Sequence, residues 1–593
     1  MLKNMSKNPS IVVQTSRKLK TVFLPSALAL FLSACVDTSS FFKNEITESL
    51  KNEAYATSEF YVNKANQATK LEDQQSYRLL AIRKLLDENK LQEAQFMFEE
   101  LSPNLAELQK NLIQKTEYDL LSAQLAVAKK QVSRAEGLLK QVNLAQLSQA
   151  QQARFYQTQA KLAELKKDVI EAVRARSMMD NFLTDTRARQ ENNDQIWALL
   201  RNANRGMLAG TQPRAGEVAL AGWLALISTY NNHLSNPAQI PQAIQTWKGQ
   251  YPNHSAAILL PTELQNASSF QQTNVNSMAL LLPLSGDGKI LSDIIKQGFN
   301  DAKGDDSTAI QFFDTDSAPV PSLLAQAKQQ GAQAIVGPLF KPRIDEMLAS
   351  PEVNNINILA LNSTPNVRAI AQVCYYGLSP EAEAKAGAER IFQENRNHVI
   401  VIAPNGDFGQ RSSEAFANRW RQLTNNDAEV RFYNEAFEVV THLQNGGAKQ
   451  GTAVYLLGNA NQVLEAKQTL DNSELAGQLA IYSSSRSHSP NSGIDFFTTM
   501  EGVKFSEIPL LADKDSETYQ KAESNAQGDY SMMRLYAMGS DAWALARNFN
   551  EFRQIPGYKV SGLTGILTAG TNCNIERTMT WLEYRGGSVQ VAP

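Results

Sequence analysis

The sequence predicts a multidomain chain: an all-α solenoid of paired helices followed by a two-lobed α/β module. Three observations predict it. Residues 36–270 hold six glycines and residues 271–593 hold the other 25. The glycine-poor half is rich in Ala, Leu, Gln, Glu and Lys, with apolar residues recurring at the helical period. From Ser277 onward, short apolar runs alternate with amphipathic stretches, the pattern of βαβ units on a parallel sheet. The length of 593 residues allows three or four domains at about 150 residues each.

Composition excludes several classes. With 43% hydrophobic and 20% charged residues, the chain is neither disordered, collagenous nor a disulfide scaffold. No run reaches the roughly 18 apolar residues of a transmembrane helix. A formal charge of −3 gives no support to a nucleic-acid partner. Three cysteines are too few for a zinc cluster.

Residues 1–34 read as a signal peptide. Lys3, Lys7, Arg17, Lys18 and Lys20 precede a short apolar run, Thr21 to Leu32, that contains Pro25. Leu32-Ser33-Ala34-Cys35 then resembles a bacterial lipobox, in which the cysteine takes a diacylglycerol and an N-acyl chain such as palmitate. The alternative is an ordinary cleavage nearby, with Cys35 a free thiol. Val36 in place of an aspartate implies, on the lipoprotein rule, sorting to the outer membrane. Loss of the five cations would take the formal charge from −3 to −8.

The helical half spans 35–261. Leu79, Leu80, Ile82, Leu85 and Leu86 form one apolar face, and Leu91, Ala94, Phe98 and Leu101 another. The polar turn Asp87-Glu88-Asn89-Lys90 separates them. The unit recurs with small residues at matched places: Ala81 and Ala94, Ala123 and Ala135, Ala160 and Ala172. Units begin 42 and then 37 residues apart, longer than the roughly 34 of a tetratricopeptide repeat. The repeat's Trp/Gly/Tyr signature is missing, so the array resembles that type without belonging to it. An irregular bundle is the alternative. Residues 262–276 are polar and aperiodic and read as an interdomain linker or return loop.

Residues 277–593 carry two α/β series. Apolar runs at 278–284, 309–314, 334–339 and 356–362 form the first, and those at 398–404, 428–437, 452–459 and 479–485 the second. Strand-like 502–509, an amphipathic helix over Tyr530–Asn548 and a final strand-like segment follow. Leu282-Pro283-Leu284-Ser285-Gly286, Ile335-Val336-Gly337-Pro338 and Leu361-Asn362-Ser363-Thr364-Pro365 resemble turns of the type I periplasmic-binding-protein fold. Lobe 1 is expected at about 277–392 and 506–548, lobe 2 at about 393–505 and 549–593. Cys374 and Cys573 could pair in an oxidising compartment, or remain two separate thiols.

Enzymatic motifs are missing, and nothing calls for a cofactor or a metal. His398 opens a strand, and His233, His254, His442 and His488 read as polar loop or surface residues; none forms a metal-ligand pair. No GxSxG elbow occurs. Ser285-Gly286-Asp287-Gly288-Lys289 fails as a phosphate loop, because Pro283 stands at the first glycine and Ile290 follows the lysine. Asp314-Thr315-Asp316 starts like a calcium loop, but Ala318 and Val320 break it.

The lipobox, the TPR-like arm and the LLPLSG and GPL stretches, in this order, resemble the LpoA family of penicillin-binding protein activators. That resemblance implies a non-enzymatic outer-membrane lipoprotein that docks through its C-terminal module on a class A penicillin-binding protein of the inner membrane. It implies stimulation of peptidoglycan synthesis, with peptidoglycan itself a further conceivable partner. A stiff arm loses less conformational freedom than a flexible tether of equal reach. A second reading is a receptor that holds a small ligand between the lobes. Ser285, Ser363, Thr364 and Ser485 lie just past strand ends, where ligands bind in open α/β sheets. The same hydroxyls could simply cap turns and helices. A third reading gives the binding surface to the helical arm.

Overall fold

Near-freedom from glycine lets the first part of the chain run as successive helices. The structure, a computed structural model, describes residues 38–489 and 493–593, with side chains from Glu45 onward. The signal segment and Cys35 lie outside the described residues. No described helix is long and apolar enough to cross a membrane.

The unit ending at Lys166 is built of helix pairs. Leu71–Asp87 packs on Leu91–Glu99, and Leu112–Ala128 on Val132–Gln141. Ala81, Ala94, Ala123 and Ala135 are wholly buried, so the small residues do sit where paired helices approach. The turns repeat as well. Asn89 and Lys130 stand in the left-handed region at φ 59° and 57°, and Lys167 at 60°. That conformation costs a non-glycine residue roughly 1 kcal/mol, which the packing of each hairpin offsets. The buried Glu117 carboxylate accepts from Arg83 Nε (2.8 Å), Gln151 Nε2 (3.0 Å) and Arg154 Nη1 (3.1 Å). Arg83 also donates to the carbonyls of Ser49, Leu50 and Asn52, satisfying the open C-terminal end of helix Thr38–Lys51.

The second unit runs from Lys167 to Pro593, so the compact division falls within the stretch read as one helical domain to 261. Its helices Val169–Asp180, Thr186–Arg201, Val218–Asn232 and Ile240–Gln250 gather around Trp197, Trp223 and Trp247. Ile555, from the α/β half, completes this core. The expected linker is corrected. Thr262–Ser268 is a helix with Leu264 and Ala267 buried. Thr273 Oγ1 donates to Glu551 (2.6 Å), and Tyr230 Oη donates to the Pro556 carbonyl (2.7 Å). Polar sequence hid a fixed junction, because it rests on four scattered apolar side chains, Leu264, Ala267, Phe270 and Val275, and a few hydrogen bonds.

The α/β part holds three sheets. β1 (Ser277–Leu282), β2 (Ala309–Asp314), β3 (Ala334–Val336), β4 (Asn357–Ala360) and β5 (Val373–Tyr375) form a parallel sheet in the order β2-β1-β3-β4-β5. The second sheet contains β6 (Val399–Pro404), β7 (Glu429–Tyr433), β8 (Ala453–Leu456), β9 (Ala480–Ser483) and β10 (Lys504–Glu507). The third is a small antiparallel sheet of β11 (Lys559–Ser561), β12 (Ile566–Ala569) and β13 (Ile575–Thr578). β14 (Thr580–Arg585) and β15 (Ser588–Val591) join the second, giving β15-β14-β10-β9-β8-β6-β7.

The lobe limits need correction at three places. Helix Pro380–Gln393 packs Ala384, Ala388 and Ile391 against β6 and β8, so it belongs to lobe 2. β10 also pairs in the lobe 2 sheet. Residues 549–578 return to lobe 1: Phe549, Phe552, Leu567 and Ile575 share its core with Leu280 and Val336. Cys374 at β5 is joined to Cys573 by a disulfide, with Cα atoms 4.7 Å apart. The chain therefore passes between lobes three times, after β5, after β10 and after β13.

Candidate functional site: the inter-lobe cleft

In a parallel sheet the loops at the carboxyl ends of strands converge on one edge. In lobe 2 those loops carry Phe408, Leu457, Asn459 and the run Ser484–Ser489. Lobe 1 answers with two helices, Lys289–Lys303 and Tyr530–Arg547, which present Ile290, Ile294, Met532 and Leu535. Between them lies a cleft of about 1660 Å³. The lobe 1 wall sets these aliphatic side chains among polar ones such as Lys514, Tyr519, Asp529 and Ser531, and the lobe 2 wall is largely polar.

The cleft floor is a buried polar network. Glu507, at the end of β10, accepts from Arg534 Nε (3.0 Å), His488 Nδ1 (2.8 Å) and the Ile508 amide (2.9 Å). Arg534 also donates to the Ser485 carbonyl (3.0 Å). Burial alone would raise Glu507, but Arg534 and the His488 hydrogen bond outweigh it and hold the carboxyl at about 2. Burial pulls His488 below its ordinary value despite the carboxylate beside it, so the neutral ring keeps its hydrogen on Nδ1. Glu383 accepts from the amide and hydroxyl of Ser485, both at 3.0 Å.

Of the four hydroxyl residues expected at the cleft, only Ser485 lines it, and its hydroxyl is committed to Glu383. The other three are corrections. Ser285 Oγ donates to Asp314 (2.7 Å) and Thr364 Oγ1 to Asp345 (2.7 Å). The Ser363 amide donates to the Asn362 side chain (3.0 Å). Neither Ser285, Ser363 nor Thr364 lines the cleft, and the hydroxyls of Ser285 and Thr364 are held by aspartates of neighbouring elements. His254 and His488, expected at the surface, are buried: His254 lies against Trp223 and Trp247, and His488 against Tyr530. Sequence reasoning missed Arg486, His488, Glu507 and Arg534. The one available signal was a histidine, two arginines and a glutamate in or flanking otherwise apolar elements.

Paired helices in one part and a two-lobed α/β module in the other define a chain of the helical-repeat and type I periplasmic-binding-protein-like class. The profile of the family described as "LppC putative lipoprotein" matches residues 51–587, and the chain belongs to that family. It is 62% identical to a protein of Glaesserella parasuis serovar 5 named "Penicillin-binding protein activator LpoA", over 98% of this chain and 99% of that one. The solved structure of Haemophilus influenzae LpoA aligns with a TM-score of 0.82 at 46% identity, covering 92% of this chain and 99% of that one. A second Haemophilus influenzae structure, titled as the LpoA C-domain and "a regulator of PBP1A", covers 54% of this chain and all of its own, with a TM-score of 0.51 at 46% identity.

Proposed function

We propose that this chain is a non-catalytic outer-membrane lipoprotein, anchored through Cys35, that binds a class A penicillin-binding protein and stimulates peptidoglycan synthesis from the outer side of the wall. The observation that supports the reading is 62% identity, sustained over 98% of the chain, with a protein named "Penicillin-binding protein activator LpoA". The division of labour fits. Lipid holds one end at a membrane, packed helices carry the chain away from it, and the α/β module meets the synthase. Activation is a shift of the synthase toward a more active state, limited by the differential affinity of the module for that state. The helical domain 35–261 serves as spacer, the module 277–593 as docking part, and no nucleic acid takes part.

The test mixes the purified chain with the class A synthase of the same organism and a lipid-linked disaccharide-pentapeptide substrate. Glycan polymerisation and crosslinking are followed as the chain is titrated. A saturable increase is expected. No change, together with no association in a pull-down, would refute the activator reading.

A further inference from the structure

Every acid on the cleft wall already has a donor. Glu383 holds Ser485, Asp529 accepts from the Ser531 (2.7 Å) and Met532 (3.1 Å) amides, and Glu523 accepts from Tyr519 Oη (3.3 Å). The cation Arg534 is also spent on Glu507, which it shares with the neutral His488 ring. Two others engage only ring faces. Arg486 stacks over Phe408 at 4.3 Å, and Lys514 Nζ lies 5.7 Å from the Tyr530 ring centre. No carboxylate is paired with Arg486 among the described residues, so its guanidinium has N–H donors left for a bidentate contact with a carboxylate.

Beside Arg486, the Ser484 hydroxyl lines the same wall, is 3% exposed, and has no hydrogen-bond partner. A buried polar atom left unsatisfied asks for an occupant that completes it. The facing wall offers aliphatic side chains, Ile290, Ile294, Met532 and Leu535, set among polar ones such as Tyr519, Asp529 and Ser531. One face of Phe408 is already covered by Arg486. The cleft, at about 1660 Å³, exceeds the roughly 300–1,000 Å³ that suits a single small molecule.

We propose that the cleft binds a short peptide, its terminal carboxylate held by Arg486 and Ser484 and its aliphatic side chains laid on Ile290, Ile294, Met532 and Leu535. This goes beyond the activator reading and does not rest on it. The readout is binding without the synthase, so failure of one leaves the other standing.

The experiment is titration calorimetry on the whole chain in detergent micelles. The probes are di- to tetrapeptides of alanine, leucine and glutamate, each with a free carboxylate and as its C-terminal amide. At least one acid should bind with sub-millimolar affinity and its amide about ten-fold more weakly, as expected for losing a charge-assisted hydrogen bond. Arg486→Ala should cost the acid a similar factor. Arg486 is exposed, so the variant keeps its fold. Ser484→Ala should weaken the acid without lowering the melting temperature, because the hydroxyl bonds nothing in the free protein. Absence of binding at millimolar peptide, equal binding of acids and amides, or an unchanged affinity in Arg486→Ala would each overturn the proposal.

Discussion

Arg534 and Glu507 form a buried ion pair across the lobes, with Arg534 Nε 3.0 Å from Glu507 Oε1. Glu507 ends a strand of the lobe 2 sheet, whereas Arg534 sits on the helix that packs in lobe 1. Glu507 is completely buried, so the charges are held where water cannot replace a lost partner. Taking one away leaves the other unpaired, which costs about 3–5 kcal/mol. Glu507→Gln should lower the unfolding free energy by about 3 kcal/mol. Urea unfolding checks it, and a midpoint equal to that of the parent would remove the pair from any account of stability.

Two buried histidines and Glu507 fix a pH dependence. His488 and His254 have folded values below their ordinary 6.5, both because of burial, so the unfolded chain takes up those protons first as pH falls. Their contribution is complete above pH 6.5 and is lost progressively below it. Glu507, held at about 2 against an ordinary 4.5, contributes above pH 4.5 and is lost as pH falls toward 2. Melting temperature should therefore begin to fall below pH 6.5 and fall again below 4.5. His488→Asn keeps a donor toward Glu507 without the titration. It should flatten the first decline, as scanning calorimetry across pH would record.

Gly298 and Gly539 let the helices Lys289–Lys303 and Tyr530–Arg547 touch backbone to backbone. A Cβ on Gly298 would sit 1.9 Å from the Tyr536 carbonyl oxygen, and one on Gly539 would sit 2.0 Å from that of Ile295. Alanine ordinarily gains about 1 kcal/mol over glycine inside a helix. Here the obstacle is backbone, which cannot rotate away, so sterics win. Gly539→Ala should destabilise by about 3 kcal/mol, read from the urea midpoint.

The parts of the fold legible in sequence are those with a strong local period. All-parallel strands such as Val399–Pro404 are unbroken apolar runs because both faces are covered, and the alanines of the helix pairs mark close approach. β5, β11, β12, β13 and β15 were not legible. Each is three or four residues long, too short to show a period, and gains its identity from the strand it pairs with, as Ile566 does from Thr578. The cleft was half legible. Hydroxyls after strand ends pointed to the right sheet edge, yet those of Ser285 and Thr364 are spent on Asp314 and Asp345. Arg534 meets Glu507 only because the chain returns to lobe 1, which no local pattern announces.

The proposed anchor is tested in cells. A lone acyl chain binds a bilayer only marginally, whereas several hold firmly at about 0.8 kcal/mol per buried methylene. Cys35→Ser removes the attachment atom for all of them. The variant should appear in the soluble fraction after lysis, whereas the parent sediments with outer membrane. A variant that still sediments would exclude lipidation as the anchor.

The disulfide between Cys374 and Cys573 closes a segment of 199 residues, including the whole of β6 to β10. Next to it, Tyr375 and Asn574 form the bridge that attaches the small sheet to the edge of the lobe 1 sheet. Without the covalent link, the unfolded chain regains the freedom of that long loop, worth about 5 kcal/mol of loop-closure entropy. The gain falls on lobe 1, where Cys573 and Ile575 belong to the main core. Reductant should therefore lower the urea midpoint of the oxidised chain. The Cys374→Ala, Cys573→Ala double variant should start from the lower midpoint and ignore reductant. A parent whose midpoint is the same with and without reductant would contradict a stabilising bridge.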